Sequence, residues 1–222
     1  IESIEPAITH KTTAIICVHL AGWACEMDSI MELADSYGIF VIEDCAQAHG
    51  AKYKGRPVGS IGHIGTWSFC QDKIISTGGE GGMVTTNDEN IWRNIWSYKD
   101  HGKSFEAVNK PKYSNGYQWI HESIGSNYRM TEMQGAIGRI QLRKLTLWND
   151  YRRKNAEAIL STCKQFSSLL RITKPPSYIQ NAWYKCYIFI RPEGMKDRWS
   201  RDRIIEEINN RGEPCYTGVC PE

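Results

Sequence analysis

The sequence lacks a cysteine pair of the C-x-x-C kind, although it contains eight cysteines in 222 residues. Structural zinc sites and disulfide scaffolds usually show regular cysteine spacing, so neither is indicated here. Several of the eight lie in apolar, strand-like runs, where a free thiol behaves as a small hydrophobic side chain. The pattern therefore predicts a reduced, cytoplasmic protein without a metal site.

Long apolar runs and a strong net charge are also missing. No run approaches the roughly 20 apolar residues that a membrane-spanning helix needs. Lys and Arg number 27 against 25 Asp and Glu, a surplus too small to favour nucleic acid or an anionic membrane as partner. No G-x-G-x-x-G follows the first predicted strand, which argues against a dinucleotide-binding domain. The composition, 41% hydrophobic and 23% charged, is that of an ordinary globular protein.

The first apolar segments that are present form a βαβ pattern. Residues 13–20 are a continuous apolar run typical of a buried strand, residues 28–37 have helical spacing ended by Gly38, and residues 39–42 form the next buried strand. This order predicts an α/β fold with a mostly parallel sheet covered by helices. Ligands of such sheets bind beyond the carboxyl ends of the strands, where Asp44 stands.

Further elements are predicted along the rest of the chain. Strands are expected at residues 64–70, 83–86 and 183–190, and helices at 89–98, 131–145, 147–165 and 200–210. Asp88 is a predicted N-cap, and Thr131 opens a sequence close to a capping box. Residues 99–118 show no period and are predicted to be a long surface loop. A boundary is placed between a large domain, 1–146, and part of a smaller α+β domain, 147–222.

A lone lysine, Lys73, lies between two of the predicted strands. Ser68 precedes it by five residues, and a glycine-rich turn at residues 78–82 follows it. A buried ammonium group is costly to desolvate unless it is paired or used. One use is a Schiff base with a carbonyl group. The alternative is a lysine at a strand end whose ammonium group reaches water.

Four side chains in this order could serve pyridoxal phosphate. Asp44 could pair with a protonated ring nitrogen, Gln47 could donate to the ring oxygen, and Ser68 could donate to the phosphate. Lys73 could bond the aldehyde. Each residue could also have a purely structural role or none. Asp44 could cap a helix, Gln47 could be solvated and Ser68 could be a strand hydroxyl.

Four segments resemble one family of enzymes. They are V-H-L-A-G (18–22), V-I-E-D-C-A-Q-A-H-G-A (41–51), W-S-F-C-Q-D-K-I-I-S-T-G-G-E-G-G-M-V (67–84) and G-S-N-Y-R-M-T-E-M-Q-G-A-I-G (125–138). Together with V-G-S-I-G at 58–62, they are similar to the nucleotide-sugar aminotransferases of the DegT/DnrJ/EryC1/StrS family. The resemblance covers nearly the whole chain.

The resemblance implies a fold-type-I pyridoxal phosphate enzyme. By the family's pattern, Lys73 holds the cofactor as an internal aldimine and Asp44 pairs with the pyridinium nitrogen. Gln47 contacts the ring hydroxyl, and Ser68 binds the phosphate. Asn127 reaches the phosphate of the neighbouring subunit's cofactor, which implies a homodimer with shared active sites.

The implied reaction moves an amino group from L-glutamate to a keto-deoxy-sugar nucleotide, in the biosynthesis of surface polysaccharide such as lipopolysaccharide or of natural-product sugars. Some relatives carry His at the lysine position and act as dehydratases, so Lys73 favours transamination. The turn T-G-G-E-G-G has one glycine more than the common form, and Asn181 stands where His is frequent. Family members extend beyond both ends of this chain, so a piece with little cofactor binding is expected. The alternative function is a catalytically silent binding or dimerising module.

Overall fold

The computed structural model of the protein describes residues 1–109 and 121–218. Over these residues the chain forms the predicted α/β fold. The strands are β1 (Ala14–Val18), β2 (Phe40–Asp44), β3 (Lys52–Tyr53), β4 (Arg56–Pro57), β5 (Ile64–Ser68), β6 (Gly82–Thr85), β7 (Leu170–Ile172), β8 (Ile179–Gln180) and β9 (Ile188–Ile190). The helices are α1 (Met27–Tyr37), α2 (Glu89–Lys99), α3 (Phe105–Asn109), α4 (Glu132–Cys163) and α5 (Arg201–Asn209).

The central sheet has the order β1-β2-β5-β6. Strands β1, β2 and β5 are parallel, and β6 runs antiparallel to β5. The sheet is therefore mostly parallel, as predicted. Two small antiparallel sheets, β4-β3-β8 and β7-β9, complete the strand pairing of the described residues.

The two faces of the central sheet have different surroundings. Side chains alternate between faces along a strand, and paired residues share a face. Cys17, Val41 and Glu43 point to a face that packs against α1 and is buried. Ile16 on the opposite face is 67% exposed and Phe40 is 51% exposed. Apolar side chains on that second face are accessible to water.

Helix α1 forms as its sequence pattern predicts. Ile30, Leu33 and Ala34 lie on one side of the helix and are buried against the sheet, the spacing expected of an amphipathic helix. Gly38 ends the helix in a left-handed conformation with φ of 62°, which glycine adopts without a Cβ clash. The chain can then turn directly into β2.

Helix α4 is longer than predicted. The capping box at Thr131 is confirmed, because the Thr131 side chain accepts from the backbone of Gln134 and the Gln134 side chain accepts from Thr131. The predicted break between residues 145 and 147 is wrong, since α4 runs unbroken from Glu132 to Cys163. The second half is more polar, but no glycine or proline follows Gly138 within it, and a change of polarity alone does not end a helix. The domain boundary at 146/147 stays a prediction.

Two other predicted segments differ from the structure. The strand predicted at 183–190 is present only as β9. Trp183, its predicted first residue, has φ of +52°, outside the extended region. Part of the predicted loop at 99–118 is α3, and its residues 110–118 lie outside the described ranges. The N-cap at Asp88 is confirmed, with Oδ1 accepting from the Ile91 amide at 2.9 Å.

The seven cysteines within the described ranges are free thiols. None of the helices in those ranges combines the length and the apolar character that crossing a bilayer requires.

Candidate cofactor site

Asp44 and Ser68 lie at the carboxyl ends of neighbouring parallel strands. Asp44 pairs with Thr66 across β2 and β5, and Ser68 lies two residues beyond Thr66 on the same face. Asp44 Oδ1 accepts from the Ala46 amide at 3.0 Å, a local bond that leaves the second carboxylate oxygen available for a cation. Ser68 Oγ accepts from the Cys70 amide at 3.3 Å, so the hydroxyl proton can be donated elsewhere.

Gln47 has an amide group whose orientation is set by the backbone. Its Oε1 accepts from the Ala21 N–H at 2.7 Å. Because the amide oxygen is engaged, the Nε2 hydrogens are the groups that Gln47 can offer to another partner. Ala21 has φ of 58°, a left-handed conformation uncommon for a residue with a Cβ. A donor at this position suits the ring oxygen of pyridoxal phosphate.

Lys73 is paired rather than extended into water. Its side chain is 17% exposed, and Nζ lies 3.0 Å from Asp72 Oδ1. Tyr184 contacts both members of this pair. Its hydroxyl donates to Asp72 Oδ2 at 2.6 Å, and its ring centroid lies 5.4 Å from Lys73 Nζ. The hydrogen bond to Asp72 raises the pKa of Lys73. The carboxylate that pairs with Lys73 is itself 54% exposed.

His49 was not singled out by the sequence analysis, yet it lies close to Lys73. Its ring is 2% exposed and packs against Trp67 and Phe69, with centroid distances of 5.4 and 5.8 Å. Burial lowers the pKa of His49 to about 4, and the charge of Lys73 contributes to the lowering. The imidazole is therefore neutral at physiological pH. In the sequence, the small residues around His49 in the segment A-Q-A-H-G are the feature that could have indicated a buried histidine.

The glycine turn is fixed between β5 and the start of α4. The Phe69 amide donates to Gly81 O at 2.8 Å, and Gln134 Nε2 donates to Glu80 O at 2.7 Å. A Cβ on Gly81 would lie 2.2 Å from Thr77 Oγ1, so the close approach requires glycine. The turn that follows Lys73 is thus held by Gln134, the third helical residue of α4 and the partner of Thr131 in the capping box.

Asn181 organises a second loop at the site. Its Oδ1 accepts from the Trp183 amide at 2.7 Å, which supports the left-handed conformation of Trp183. The amides of Ala182 and Tyr184 donate to Gly22 O and Ala21 O, both at 3.0 Å. The loop around Asn181 therefore docks on the same backbone that orients Gln47, and it delivers Tyr184 to Lys73.

Glu43 precedes Asp44 but lies on the buried face. Its two oxygens accept from the amides of Gly59, Ile61 and Gly62, at 2.8, 2.8 and 2.6 Å. Burial alone would raise the pKa of Glu43, but these bonds and that from His19 hold the pKa below its ordinary value.

His19 and Cys45 lie beside this carboxylate. The potential ligand atoms of His19, Glu43 and Cys45 lie within 4.8 Å of one another. His19 Nδ1 accepts from the Cys25 amide at 3.1 Å, so Nε2 carries the proton that Glu43 Oε2 accepts at 3.0 Å. Both imidazole nitrogens and both carboxylate oxygens are thus engaged, and we interpret the cluster as structural.

Asn127 lies in a different part of the molecule. It forms a β-bridge with Asp100, and its Oδ1 accepts from Arg129 Nε at 3.1 Å. The side chain of Arg129 also lies 3.4 Å from Asp100. Within the described ranges the structure records no contact between Asn127 and the other four predicted site residues. Its amide hydrogens remain available as donors.

Comparison with known proteins decides the family. The model of the DegT/DnrJ/EryC1/StrS aminotransferase family matches residues 1–216. The chain belongs to this family. The chain is 41% identical over 209 residues to a GDP-perosamine synthase of Escherichia coli O157:H7, covering 93% of this chain and 54% of that protein. It spans about half the length of the curated DegT/DnrJ/EryC1/StrS relatives that it matches.

Solved structures of the family show the same fold. An aminotransferase from Psychrobacter cryohalolentis superposes with a TM-score of 0.93 at 55% identity, covering 98% of this chain and 57% of that one. The E. coli GDP-4-keto-6-deoxy-D-mannose-3-dehydratase, solved with bound hydrated PLP, superposes with a TM-score of 0.77 at 28% identity, covering 95% of this chain and 54% of that one. The predicted fold class is confirmed.

Proposed function

We propose that the protein acts as a pyridoxal phosphate-dependent aminotransferase that moves an amino group from L-glutamate to a keto-deoxy-sugar nucleotide. The observation that carries the proposal is the set of groups that the predicted residues offer. A paired lysine, an amide oriented as a donor at Gln47 and a half-buried carboxylate at Asp44 meet the needs of one cofactor. Membership of the DegT/DnrJ/EryC1/StrS family supports it.

The residues present fit the cofactor, and each has a defined task. When bound, pyridoxal phosphate supplies an aldehyde carbon and a ring that accepts electrons. Lys73 Nζ would hold that carbon covalently, and the freed amine would carry a proton between carbon atoms. Asp44 would keep the ring nitrogen protonated, because a carboxylate beside it stabilises the positive charge. Gln47 would donate to the ring oxygen, and Ser68 to the phosphate.

Two relatives support a proposal for the class of sugar. The E. coli protein is named GDP-perosamine synthase, and a Streptomyces venezuelae relative is named as a transaminase of a dTDP-amino sugar. We therefore propose a 4-keto-6-deoxy or 3-keto hexose nucleotide as the acceptor. The reaction would belong to cytoplasmic biosynthesis of surface polysaccharide or of natural-product sugars.

The direct test is a panel of keto-sugar nucleotides offered with glutamate. Formation of 2-oxoglutarate that depends on both substrates and on pyridoxal phosphate would support the proposal. Turnover of the sugar nucleotide without loss of the glutamate amino group would instead indicate dehydration. Lys73→His is the matched variant, because it replaces the residue that distinguishes the two reactions in the family resemblance.

Shared active sites in a homodimer are part of the proposal. Arg129 holds the Asn127 amide oxygen, so the amide hydrogens can be presented to a phosphate of the partner subunit. Lys73→Ala and Asn127→Ala should each be weak alone. Mixed after subunit exchange, they should recover part of the activity, since one site of the mixed dimer keeps both residues. Confirmed exchange without recovery would count against sharing.

A second candidate function is a non-catalytic binding or dimerising module. The exposed apolar side chains Ile16 and Phe40 on the open face of the sheet favour association with another surface. The two functions differ in one simple observation. An enzyme should show a visible absorption band when pyridoxal phosphate is added, and a silent module should show only the spectrum of free cofactor.

A further inference from the structure

Two groups beside Lys73 have no task in the reaction described so far. Asp72 bridges the lysine and Tyr184, with Oδ1 at 3.0 Å from Lys73 Nζ and Oδ2 accepting from the Tyr184 hydroxyl at 2.6 Å. The Asp72 carboxylate thus lies between the Tyr184 hydroxyl and the Lys73 ammonium group and contacts both. A charge-assisted pair of this kind has a more defined geometry than a lone surface ion pair.

Tyr184 is positioned by the backbone and not only by its own packing. Its amide donates to Ala21 O at 3.0 Å, and the preceding Trp183 carbonyl accepts from Arg152 Nη1 at 3.4 Å. Ala21 is also the residue whose amide fixes Gln47. Ala21 therefore holds both the backbone of Tyr184 and the side chain of Gln47, a proposed cofactor contact. The position of the phenol depends on the same residue that orients Gln47.

We propose that Asp72 and Tyr184 are positioning residues that receive the Lys73 amine as an ammonium ion whenever it is not bonded to the cofactor. The inference rests on the proposed function, because it takes Lys73 as the lysine that bonds the cofactor. Asp72 acts on Lys73 directly. The Tyr184 hydroxyl acts through Asp72, while the Tyr184 ring itself lies 5.4 Å from Lys73 Nζ.

The chemistry explains why such a pair is useful. A free Lys73 amine accepts a proton from a substrate carbon, so that a C–H bond breaks, its electron pair stays with the carbon, and an N–H bond forms. The nitrogen gains a positive charge, which the Asp72 carboxylate stabilises at 3.0 Å. The proton then passes to a second carbon, and the amine returns to its neutral form. No oxidant or reductant is consumed.

Other titratable groups around the pair do not replace Asp72. His49 senses the charge of Lys73 but is buried, and burial lowers the pKa of its imidazole to about 4. Lys185 lies 4.9 Å from the Tyr184 ring and is itself a cation. Cys70 faces Asp72, and its thiol donates to Glu80 at 3.2 Å. Asp72 is the one carboxylate recorded within 4.0 Å of Lys73 Nζ among the described residues.

The test measures how fast Lys73 captures pyridoxal phosphate at different pH values, followed by the visible absorption of the holoenzyme as it forms. Only the neutral amine attacks an aldehyde, so the profile reports protonation of Lys73. Asp72→Asn should move the profile to lower pH by about one unit, giving about tenfold faster capture below the amine's pKa. Asp72→Glu, which restores the charge, should return part of the shift.

A matched control is Asp150→Asn. Asp150 is similarly exposed, 56% against 54% for Asp72, and pairs with Arg153 on α4. Its variant should leave the capture profile unchanged. This control separates the local effect on Lys73 from the general loss of one negative charge.

Tyr184→Phe tests the second half of the inference. Loss of the phenol should shift the profile in the same direction as Asp72→Asn, by a smaller amount, because the carboxylate is less well placed. In the Asp72→Asn background the same change should have little further effect, since phenylalanine keeps the ring beside Lys73 and the missing hydroxyl acts through Asp72. Additive shifts would overturn that role.

The inference and the proposed function fail in different ways. If Lys73 still captures the cofactor but Asp72→Asn behaves like Asp150→Asn, the positioning role is overturned and the function stands. If Lys73→Ala captures pyridoxal phosphate as fast as the unaltered protein, the assignment of Lys73 itself is wrong.

Discussion

Glu43 and Asp44 are consecutive acids on the same strand, yet they lie in opposite environments. Glu43 points to the covered face, is fully buried and accepts hydrogen bonds from three backbone amides and His19. Asp44 points to the open face, is half-buried and accepts one local bond from the Ala46 amide. The carboxylate of Glu43, whose two oxygens both accept hydrogen bonds, stabilises the fold. The carboxylate of Asp44 keeps one oxygen available to a ligand.

The comparison extends to the two faces of the sheet. On the covered face, the side chains of Glu43 and His19 find their hydrogen-bond partners within the chain. On the open face, Asp44 pairs with Val18 of β1, an apolar residue that is 45% exposed, and Ile16 on the same strand is exposed as well. A polar group with spare hydrogen-bonding capacity next to apolar surface is what a binding site requires. We therefore expect the polar residues that bind a ligand to lie on the open face.

The largest expected effect is on the covered face. Glu43→Ala would leave three buried amides and the His19 imidazole without their acceptor, so we expect a loss of about 3–5 kcal/mol in the free energy of unfolding. Denaturant titration measures it, with Asp44→Ala as the control that should change stability by less than about 1 kcal/mol. Equal losses at the two positions would remove the contrast between them.

The next effect is on the open face. Asp44→Asn keeps the shape of the side chain but loses the charge that would stabilise a protonated ring nitrogen. We expect the turnover rate to fall by on the order of 100-fold or more, about 3 kcal/mol, with cofactor occupancy much less affected. Steady-state rates and the cofactor content of the purified protein measure the two quantities. Near-normal turnover would mean that Asp44 is a structural acid.

A smaller effect is expected at Gln47, whose side chain both holds the Ala21 amide and is proposed to donate to the cofactor. Gln47→Glu keeps an oxygen to accept from the Ala21 amide but removes the N–H donors. We expect unchanged stability and a cofactor affinity weaker by about tenfold or more, the value of one hydrogen bond. Titration with pyridoxal phosphate checks this, and Gln47→Ala, which removes both functions, should lose stability as well. An unaltered affinity in Gln47→Glu would contradict the donor role.

The local features of the fold were accessible from the sequence. Strand ends and helix caps depend on neighbouring residues, which is why Asp44, Ser68 and the capping box at Thr131 were predicted. The break in α4 was predicted wrongly, because a change in polarity was given the weight that only a helix-breaking residue has. The strand at 183–190 is too long in the prediction, because alternation of side chains cannot reveal local features such as the left-handed conformation of Trp183.

The contacts between residues that are far apart in the chain could not be predicted from the sequence. His19 and Glu43 are 24 residues apart, and Asp72 and Tyr184 are 112 residues apart. No local pattern links such partners, since their meeting depends on how loops from distant segments dock. Asn181 illustrates the point, because its hydrogen bond to Trp183 makes sense only once the docking on Gly22 is seen.

The central claim is that Lys73 bonds the cofactor, and reductive trapping tests it most directly. The protein is loaded with pyridoxal phosphate, treated with borohydride and digested, and the modified peptide is identified by mass spectrometry, with Lys73→Ala as the control. The account predicts that the cofactor is fixed on the peptide that contains Lys73 and that the control retains none. Fixation on another lysine, in the unaltered protein, would contradict it.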